Sequence, residues 1–354
     1  MKIKNKVKRW QAMCLAAIMA FSLSGCGGDA KDSIAMVTSG NYAGNKAACQ
    51  AWNGVQVFAS SEDGVANRYE VSTADAAAAD KQIKTIMKEG NTAAVFVGND
   101  LEQSLYKAQE GNKDVRFIMI GGQPRPEEGA DPSIGENTLC VVFNNTELGY
   151  LAGYGAVYEG YRHLGFIAGT RSADAIAYES GFIAGVKACA ADLALEAGAV
   201  VVDEHYTESD ALSPLVMEAA LNQYDNGCQI IMAYGHQINR AVIKAAEKRN
   251  KLVISAGEDL RGESGAVLMG CAFDCAAAVE KALASCKSES FAGGTSVHYG
   301  AADNAISLCM SPDRFTTFTE ADYQRIFGEL SSGARTAPQD NNVAGDAFVT
   351  VNQQ

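Results

Sequence analysis

Polar and aromatic side chains recur just after short apolar runs of this 354-residue chain. Amide, carboxylate and imidazole groups in such places can hydrogen-bond hydroxyl groups or the edge of a heterocyclic base, and aromatic rings can stack on a base or a sugar. The alternatives are helix capping for the polar residues and a place in the core for the aromatic ones. The set predicts a binding site for a small polar ligand. Its candidate ligand-binding residues are Tyr42, Asn45, Asn99, Asp100, Tyr178, Tyr206, His236, Asp259 and Phe273.

Sequence patterns typical of catalysis do not occur in the chain. It contains no G-x-S-x-G, H-E-x-x-H or G-x-x-x-x-G-K-[ST] motif, the patterns of serine hydrolases, zinc proteases and P-loop NTPases. The four histidines, at positions 163, 205, 236 and 298, are far apart in the sequence. We therefore expect no catalytic residue, no metal site and no cofactor.

The first 25 residues have the layout of an export signal. A basic start of five lysines and arginines precedes an apolar run at 12–23. A membrane-spanning helix needs about 20 apolar residues. A run of about a dozen therefore directs export and does not span a bilayer.

The export signal ends in Leu-Ser-Gly-Cys at positions 23–26, which resembles the lipobox of bacterial lipoproteins. The resemblance implies cleavage before Cys26 and fatty acylation of Cys26. Two acyl chains would hold the mature protein on the extracytoplasmic face of the cell membrane. Residues 1–25 are then a lipoprotein signal peptide, and residues 26–32 are a tether. The alternative is an ordinary signal peptide followed by a chance cysteine.

The exported chain is strongly acidic. Without the five cations of the signal, 24 Lys and Arg remain against 42 Asp and Glu, a net charge of about −18. Nucleic acid is not an expected partner, because phosphate binding needs a basic surface.

Short runs rich in valine and isoleucine alternate with longer amphipathic segments, which predicts βα units with parallel strands. Two series of strands follow one another, so we expect an α/β protein with two Rossmann-like lobes. In such sheets ligands bind outside the carboxyl ends of the strands, where the candidate residues lie. The predicted strands are 33–40, 66–72, 92–98, 115–122 and 138–143, then 163–169, 198–206, 229–235, 251–257 and 266–272.

Two of the intervening helices have recognisable starts. Asn145 or Thr146 is expected to cap one helix, and Asp174 precedes the next. The glycines at 149, 153 and 155 predict close packing of the first of these helices against a neighbour.

Several segments resemble the basic membrane protein family, whose members are lipoprotein solute-binding components of ABC importers. FNNTELGYLAGYGA at 143–156, LGFIAGT at 164–170 and YESGFIAGVKA at 178–188 follow the family's motifs in order and spacing. The segment at 229–259 looks like the family's next strand, glycine turn, helix and strand. Several members bind purine nucleosides, so the resemblance implies a ligand of nucleoside type.

The resemblance also implies the type I periplasmic-binding-protein fold, in which two lobes are joined by hinge crossings. With crossings near 143, 272 and 299, the N-terminal lobe would contain residues 33–142 and 273–298. The C-terminal lobe would then contain residues 143–272 and 299–354.

The implied function is capture of a small polar ligand between the lobes and its delivery to an ABC permease. The family's binding motifs are only partly kept. Asn45 or Asn41 stands where an acidic residue is expected, Asp259 keeps one acid of a late motif, and Phe273 replaces an expected lysine. Loss of such partners changes which ligand a buried site accepts. The alternatives are a surface receptor that signals to a membrane sensor and, less favoured, an exported enzyme.

Overall fold

The computed structural model describes residues 32–40, 42, 45–127, 129–209, 213–288, 291–338, 340–341 and 343–353. The predicted signal peptide, Cys26 and the tether up to residue 31 lie outside the described residues. Predictions about export and lipid attachment therefore stay predictions.

Strands of the described chain form two sheets. In chain order they are β1 (Ser33–Ser39), β2 (Val65–Val71), β3 (Ala93–Val97), β4 (Arg116–Ile120), β5 (Thr138–Phe143), β6 (His163–Ala168), β7 (Val200–Tyr206), β8 (Ile230–Tyr234), β9 (Leu252–Ala256), β10 (Val267–Phe273), β11 (Thr295–Tyr299), β12 (Ile306–Met310) and β13 (Val349–Gln353). The first sheet has the order β11-β5-β4-β3-β1-β2, and the second has the order β12-β10-β9-β8-β6-β7-β13.

Both sheets are parallel except where β12 pairs antiparallel with β10. Their central strands are mostly apolar, because helices cover both faces of a parallel sheet; all five residues of β3 are buried. The predicted α/β class and the type I binding-protein fold are confirmed. The sequence pattern did not mark β11, β12 and β13, which are short strands at sheet edges: β11 at one edge of the first sheet, and β12 and β13 at the two edges of the second.

Helices connect the strands. They are α1 (Lys46–Ser61), α2 (Ala76–Met87), α3 (Glu102–Gly111), α4 (Asn145–Glu159), α5 (Ala173–Asp192), α6 (Pro214–Asp225), α7 (His236–Arg249), α8 (Cys275–Cys286) and α9 (Glu320–Ser331). None of these described helices is both long enough and apolar enough to cross a membrane.

The chain passes between the sheets after β5, after β10 and after β11. The three crossings lie side by side. The backbone N–H of Asn144 donates to the carbonyl oxygen of Tyr299 at 2.9 Å. The rings of Phe143 and Phe273 stack with centroids 4.5 Å apart.

Glycines allow α4 and α5 to pack with their backbones in contact. A Cβ at Gly149 or Gly153 would overlap carbonyl oxygens of α5, and a Cβ at Gly181 or Gly185 would overlap carbonyl oxygens of α4. Close approach of these two helices brings the first turns of both to the same edge of the second sheet. The polar residues of those turns form part of the site described next.

Candidate functional site

A cleft of about 1310 Å³ opens at the carboxyl ends of the strands of both sheets. Residues 98–99 and 121–123, which follow β3 and β4, line one side. Residues 172–174, 235–236 and 257–258, which follow β6, β8 and β9, line the other. This is the location expected for a ligand of a doubly wound α/β fold.

Six of the nine predicted ligand-binding residues line the cleft: Asn45, Asn99, Asp100, Tyr178, His236 and Phe273. Asp259 instead lines a smaller cavity of about 340 Å³, which shares Asn45, His236 and Phe273 with the cleft. Tyr42 and Tyr206 do not occur in the lining of either cavity.

The rings of Tyr42 and Tyr206, which lie outside both cavities, each contact an arginine guanidinium group. The guanidinium carbon of Arg68 lies 3.6 Å from the centre of the Tyr42 ring, and that of Arg171 lies 4.7 Å from the Tyr206 ring. The Tyr206 hydroxyl also donates to the Glu179 carboxylate at 2.7 Å. A ligand role for either tyrosine stays an untested prediction.

Glu179 is an unusual carboxyl group, because its side chain is completely buried on α5. Burial, aided by a hydrogen bond with the nearly buried Glu204, raises the pKa of Glu179 to about 8. The folded-state pKa thus lies above the value of about 4.3 expected in the unfolded chain. Such a group binds more protons in the folded state between these two pH values.

We therefore expect stability to fall by up to a few kcal/mol as pH rises from about 4.5 to about 8. Glu179→Gln, which retains an oxygen for the Tyr206 hydroxyl, should flatten this decline. The measurement is the melting temperature of both proteins from pH 5 to pH 8.5, with Glu218→Gln on the exposed face of α6 as the control. An equal slope in all three proteins would contradict the assignment.

Three of the predicted polar residues have local partners. The Asn45 side chain accepts from the backbone N–H of Ala48 at 3.0 Å and so caps α1, which was the alternative to ligand binding. Asp259 is paired with Arg261 at 2.8 Å. His236 Nδ1 lies 2.7 Å from a carboxylate oxygen of Glu258.

The most informative polar pair of the cleft, Asn145 and Asp174, was interpreted in the sequence only as helix starts. The amide nitrogen of Asn145 donates to Asp174 at 2.9 Å. The actual caps are Asn144 for α4 and Ser172 for α5. Asn145 and Asp174 are therefore released from capping and line the cleft.

Asn145 is only 9% exposed, and within the described part of the chain its side-chain oxygen has no hydrogen-bond partner. Burial raises the pKa of Asp174, and the nearby Glu102 carboxylate raises it further. A buried acceptor without a donor is costly, at about 1–3 kcal/mol. The Asn145 oxygen is therefore suited to accept a hydrogen bond from a ligand, and the exposed Asp174 carboxylate lies beside it.

Aromatic rings form the apolar part of the cleft. Phe143 and Phe273, which stack at the hinge crossings, both line it. Tyr178 is completely buried beneath Tyr234, with ring centroids 4.9 Å apart. The partly exposed rings of Phe273 and Tyr234 are flat apolar surfaces of the kind that binds heterocyclic bases and the apolar faces of sugars.

Charged residues at the rim are largely paired with one another. Glu102 bonds Arg125 at 2.6 Å and accepts the backbone N–H of Gln123 at 2.8 Å. Opposite them, α7 begins directly after Gly235, whose φ of 117° suits glycine and which offers no side chain to cap the helix. Backbone N–H donors of the first turn of α7 are thus available beside His236.

A family model described as ABC transporter substrate-binding protein PnrA-like, Bmp, matches residues 31–332. Solved structures share the fold at low sequence identity. An ABC transporter system solute-binding protein from Conexibacter woesei is 20% identical with a TM-score of 0.65, and the match covers 87% of this chain and 98% of that one.

Two further structures are similar. A transcriptional activator of the comK gene from Bacillus halodurans is 15% identical with a TM-score of 0.65, over 84% of this chain and 96% of that one. A periplasmic ribose ABC transporter protein from Conexibacter woesei is 15% identical with a TM-score of 0.58, over 89% and 100%.

Proposed function

Because the chain belongs to the Bmp family of PnrA-like ABC transporter substrate-binding proteins, we propose that its cleft captures a nucleoside-type ligand for an ABC permease. The family is one of solute-binding proteins that act on the extracytoplasmic side and is not an enzyme family. The observation that carries the proposal is the cleft itself. It joins the hydrogen-bonded pair of buried Asn145 and exposed Asp174 to the aromatic rings at the crossings.

The polar part of the cleft complements the ribose of a nucleoside, and the aromatic part complements its base. Ribose hydroxyls would donate to the side-chain oxygen of Asn145, which has no donor within the described residues, and to the neighbouring Asp174 carboxylate. The base would lie against the ring of Phe273, whose replacement of a lysine leaves an apolar surface at that point. Each interaction is stronger in a site from which water is excluded.

Closure of the cleft would exclude that water. Small-molecule pockets usually have volumes of roughly 300–1000 Å³, so a cleft of about 1310 Å³ is larger than a nucleoside requires. We place the lobes at residues 33–142 with 273–298 and at residues 143–272 with 299–354. They would approach by rotation about the three adjacent crossings, because a ligand that contacts both lobes stabilises the closed form.

One contact between the lobes already exists at the smaller cavity beside the cleft. The ammonium group of Lys46, on α1 of the first sheet, donates to the backbone carbonyl of Asp259 after β9 of the second sheet at 2.6 Å. This bond would limit how far the lobes separate. In the proposed importer, Cys26 is the lipidated residue that keeps the protein beside its permease.

A thermal-shift screen tests the proposal. The panel contains purine and pyrimidine nucleosides, nucleobases, small carboxylates and sugars, including ribose because a ribose transporter protein shares the fold. A ligand at a hundred times its Kd stabilises the folded state by about 2.7 kcal/mol, so we expect nucleosides to raise the melting temperature by several degrees. Stabilisation by sugars alone, or by no compound, would contradict a nucleoside ligand.

A further inference from the structure

Three side chains that can bind metal ions meet at the amino end of the second sheet, away from the cleft. His163 is the first residue of β6, Asp203 lies on the neighbouring β7, and Cys228 precedes β8 on the other side of β6. Across the residues that the structure describes, this is the one group of three His, Cys, Asp or Glu side chains whose ligand atoms all lie within 4.8 Å of one another.

Their separations are close to those of a metal site. His163 Nε2 lies 2.8 Å from Asp203 Oδ2, and Cys228 Sγ lies 3.7 Å from the same oxygen. Tetrahedral zinc binds histidine nitrogen and carboxylate oxygen at about 2.0–2.2 Å and thiolate at about 2.3 Å, which separates neighbouring ligand atoms by roughly 3.3–3.7 Å. The histidine and aspartate would have to move apart by roughly half an ångström, and the histidine nitrogen lies within 4.8 Å of the cysteine sulfur.

Neighbouring residues orient all three groups. Asn352 on β13 donates to the other oxygen of Asp203 at 2.8 Å, which leaves Oδ2 directed at His163 and Cys228. A Cβ at Gly227 would lie 3.0 Å from His163 Nδ1, so glycine leaves room for the imidazole. Cys228 is a free cysteine whose thiol is fully buried beside the carbonyl oxygen of Leu164.

We propose that His163, Asp203 and Cys228 bind a Zn²⁺ ion that joins β6, β7 and β8. The combination of thiolate, imidazole and carboxylate selects zinc over calcium or magnesium, which prefer oxygen ligands. On binding, Cys228 loses its thiol proton to solvent, and His163 coordinates through Nε2 in the neutral form with its proton on Nδ1. His163 is the accessible member of the group, so the fourth ligand is water from that side.

The proposed zinc site is separate from the proposed capture of a nucleoside. Its effect would be to stabilise the folded protein. Residues 163, 203 and 228 are far apart in the sequence, and for this reason the sequence alone predicted no metal site. Zinc binding should raise the melting temperature without changing the affinity of the cleft for its ligand. Failure of one proposal therefore leaves the other unaffected.

Cobalt(II) provides the test, because a thiolate bound to Co²⁺ gives a charge-transfer absorption in the near ultraviolet. The purified protein, treated with chelator and titrated with Co²⁺, should develop this band at one ion per chain and lose it when Zn²⁺ is added. Cys228→Ser should abolish the band, and Cys189→Ser, a buried free cysteine of α5, should keep it. Asn352→Ala should weaken Zn²⁺ binding by about tenfold through loss of ligand orientation.

A second readout covers the case in which Cys228→Ser does not fold. His163→Gln changes a partly exposed side chain, and its melting temperature should no longer respond to Zn²⁺ while the wild-type value rises. A folded wild-type protein without the cobalt band, or a band that persists in Cys228→Ser, would overturn the proposal.

Discussion

Replacing Asp174 by alanine is expected to weaken nucleoside binding roughly a hundredfold, because a hydrogen bond to a charged group contributes about 1.5–3 kcal/mol. The Asp174 carboxylate is held at the cleft wall by the amide of Asn145. Its removal deprives the ligand of one acceptor and frees the Asn145 side chain to turn. Titration calorimetry with the nucleoside that most stabilises the wild-type protein measures the change.

Asp225→Ala is the matched control for this experiment. Asp225 is paired with Arg249 on the outer surface of α6, and exposed ion pairs contribute at most about 1 kcal/mol to stability. The control should bind the nucleoside as the wild type does. Unchanged affinity in Asp174→Ala would exclude the carboxylate from the ligand site.

Gly185→Ala is expected to destabilise the fold by about 3 kcal/mol or more. The added methyl group would overlap the backbone carbonyl oxygen of Tyr150 on α4, and neither helix can yield without moving the other. Overpacking of a well-packed interior typically costs about 1–3 kcal/mol, and a clash with backbone is harder to relieve than one with a side chain. Urea unfolding followed by circular dichroism gives the free energy of unfolding.

Gly328→Ala makes the same chemical change at an open position. Gly328 is exposed within α9, and nothing lies within 4 Å of the place its Cβ would occupy. Because glycine inside a helix is less favourable than alanine by about 1 kcal/mol, this control should be slightly stabilising. Similar effects of both substitutions would show that α4 and α5 are not held at backbone contact.

Periodicity predicted much of the fold, because the central parallel strands are largely continuous apolar runs, as burial on both faces requires. Strand β13 was not predicted from the sequence. Its residues Val-Thr-Val-Asn-Gln at 349–353 are half polar, and it pairs with β7, which lies about 150 residues earlier in the chain. Edge strands with one solvent-exposed side carry a weaker apolar signal than central strands.

The site was less predictable than the fold. Residues directly after strands, such as Asn99 and His236, reach the cleft because topology alone brings them there. The pairing of Asn145 with Asp174 depends on how closely α4 approaches α5. No local sequence pattern predicts that distance. Tyr206 is the last residue of β7, but its hydroxyl donates to Glu179, a contact between residues 27 positions apart.

The central claim is that a nucleoside binds in the cleft between the two sheets, and titration calorimetry of the purified protein with purine nucleosides tests it most directly. We predict one-to-one binding with a micromolar or tighter Kd and a negative heat-capacity change, because closure over the aromatic rings buries apolar surface. A protein that is folded by circular dichroism and gives no binding heat with any nucleoside at several temperatures would contradict it.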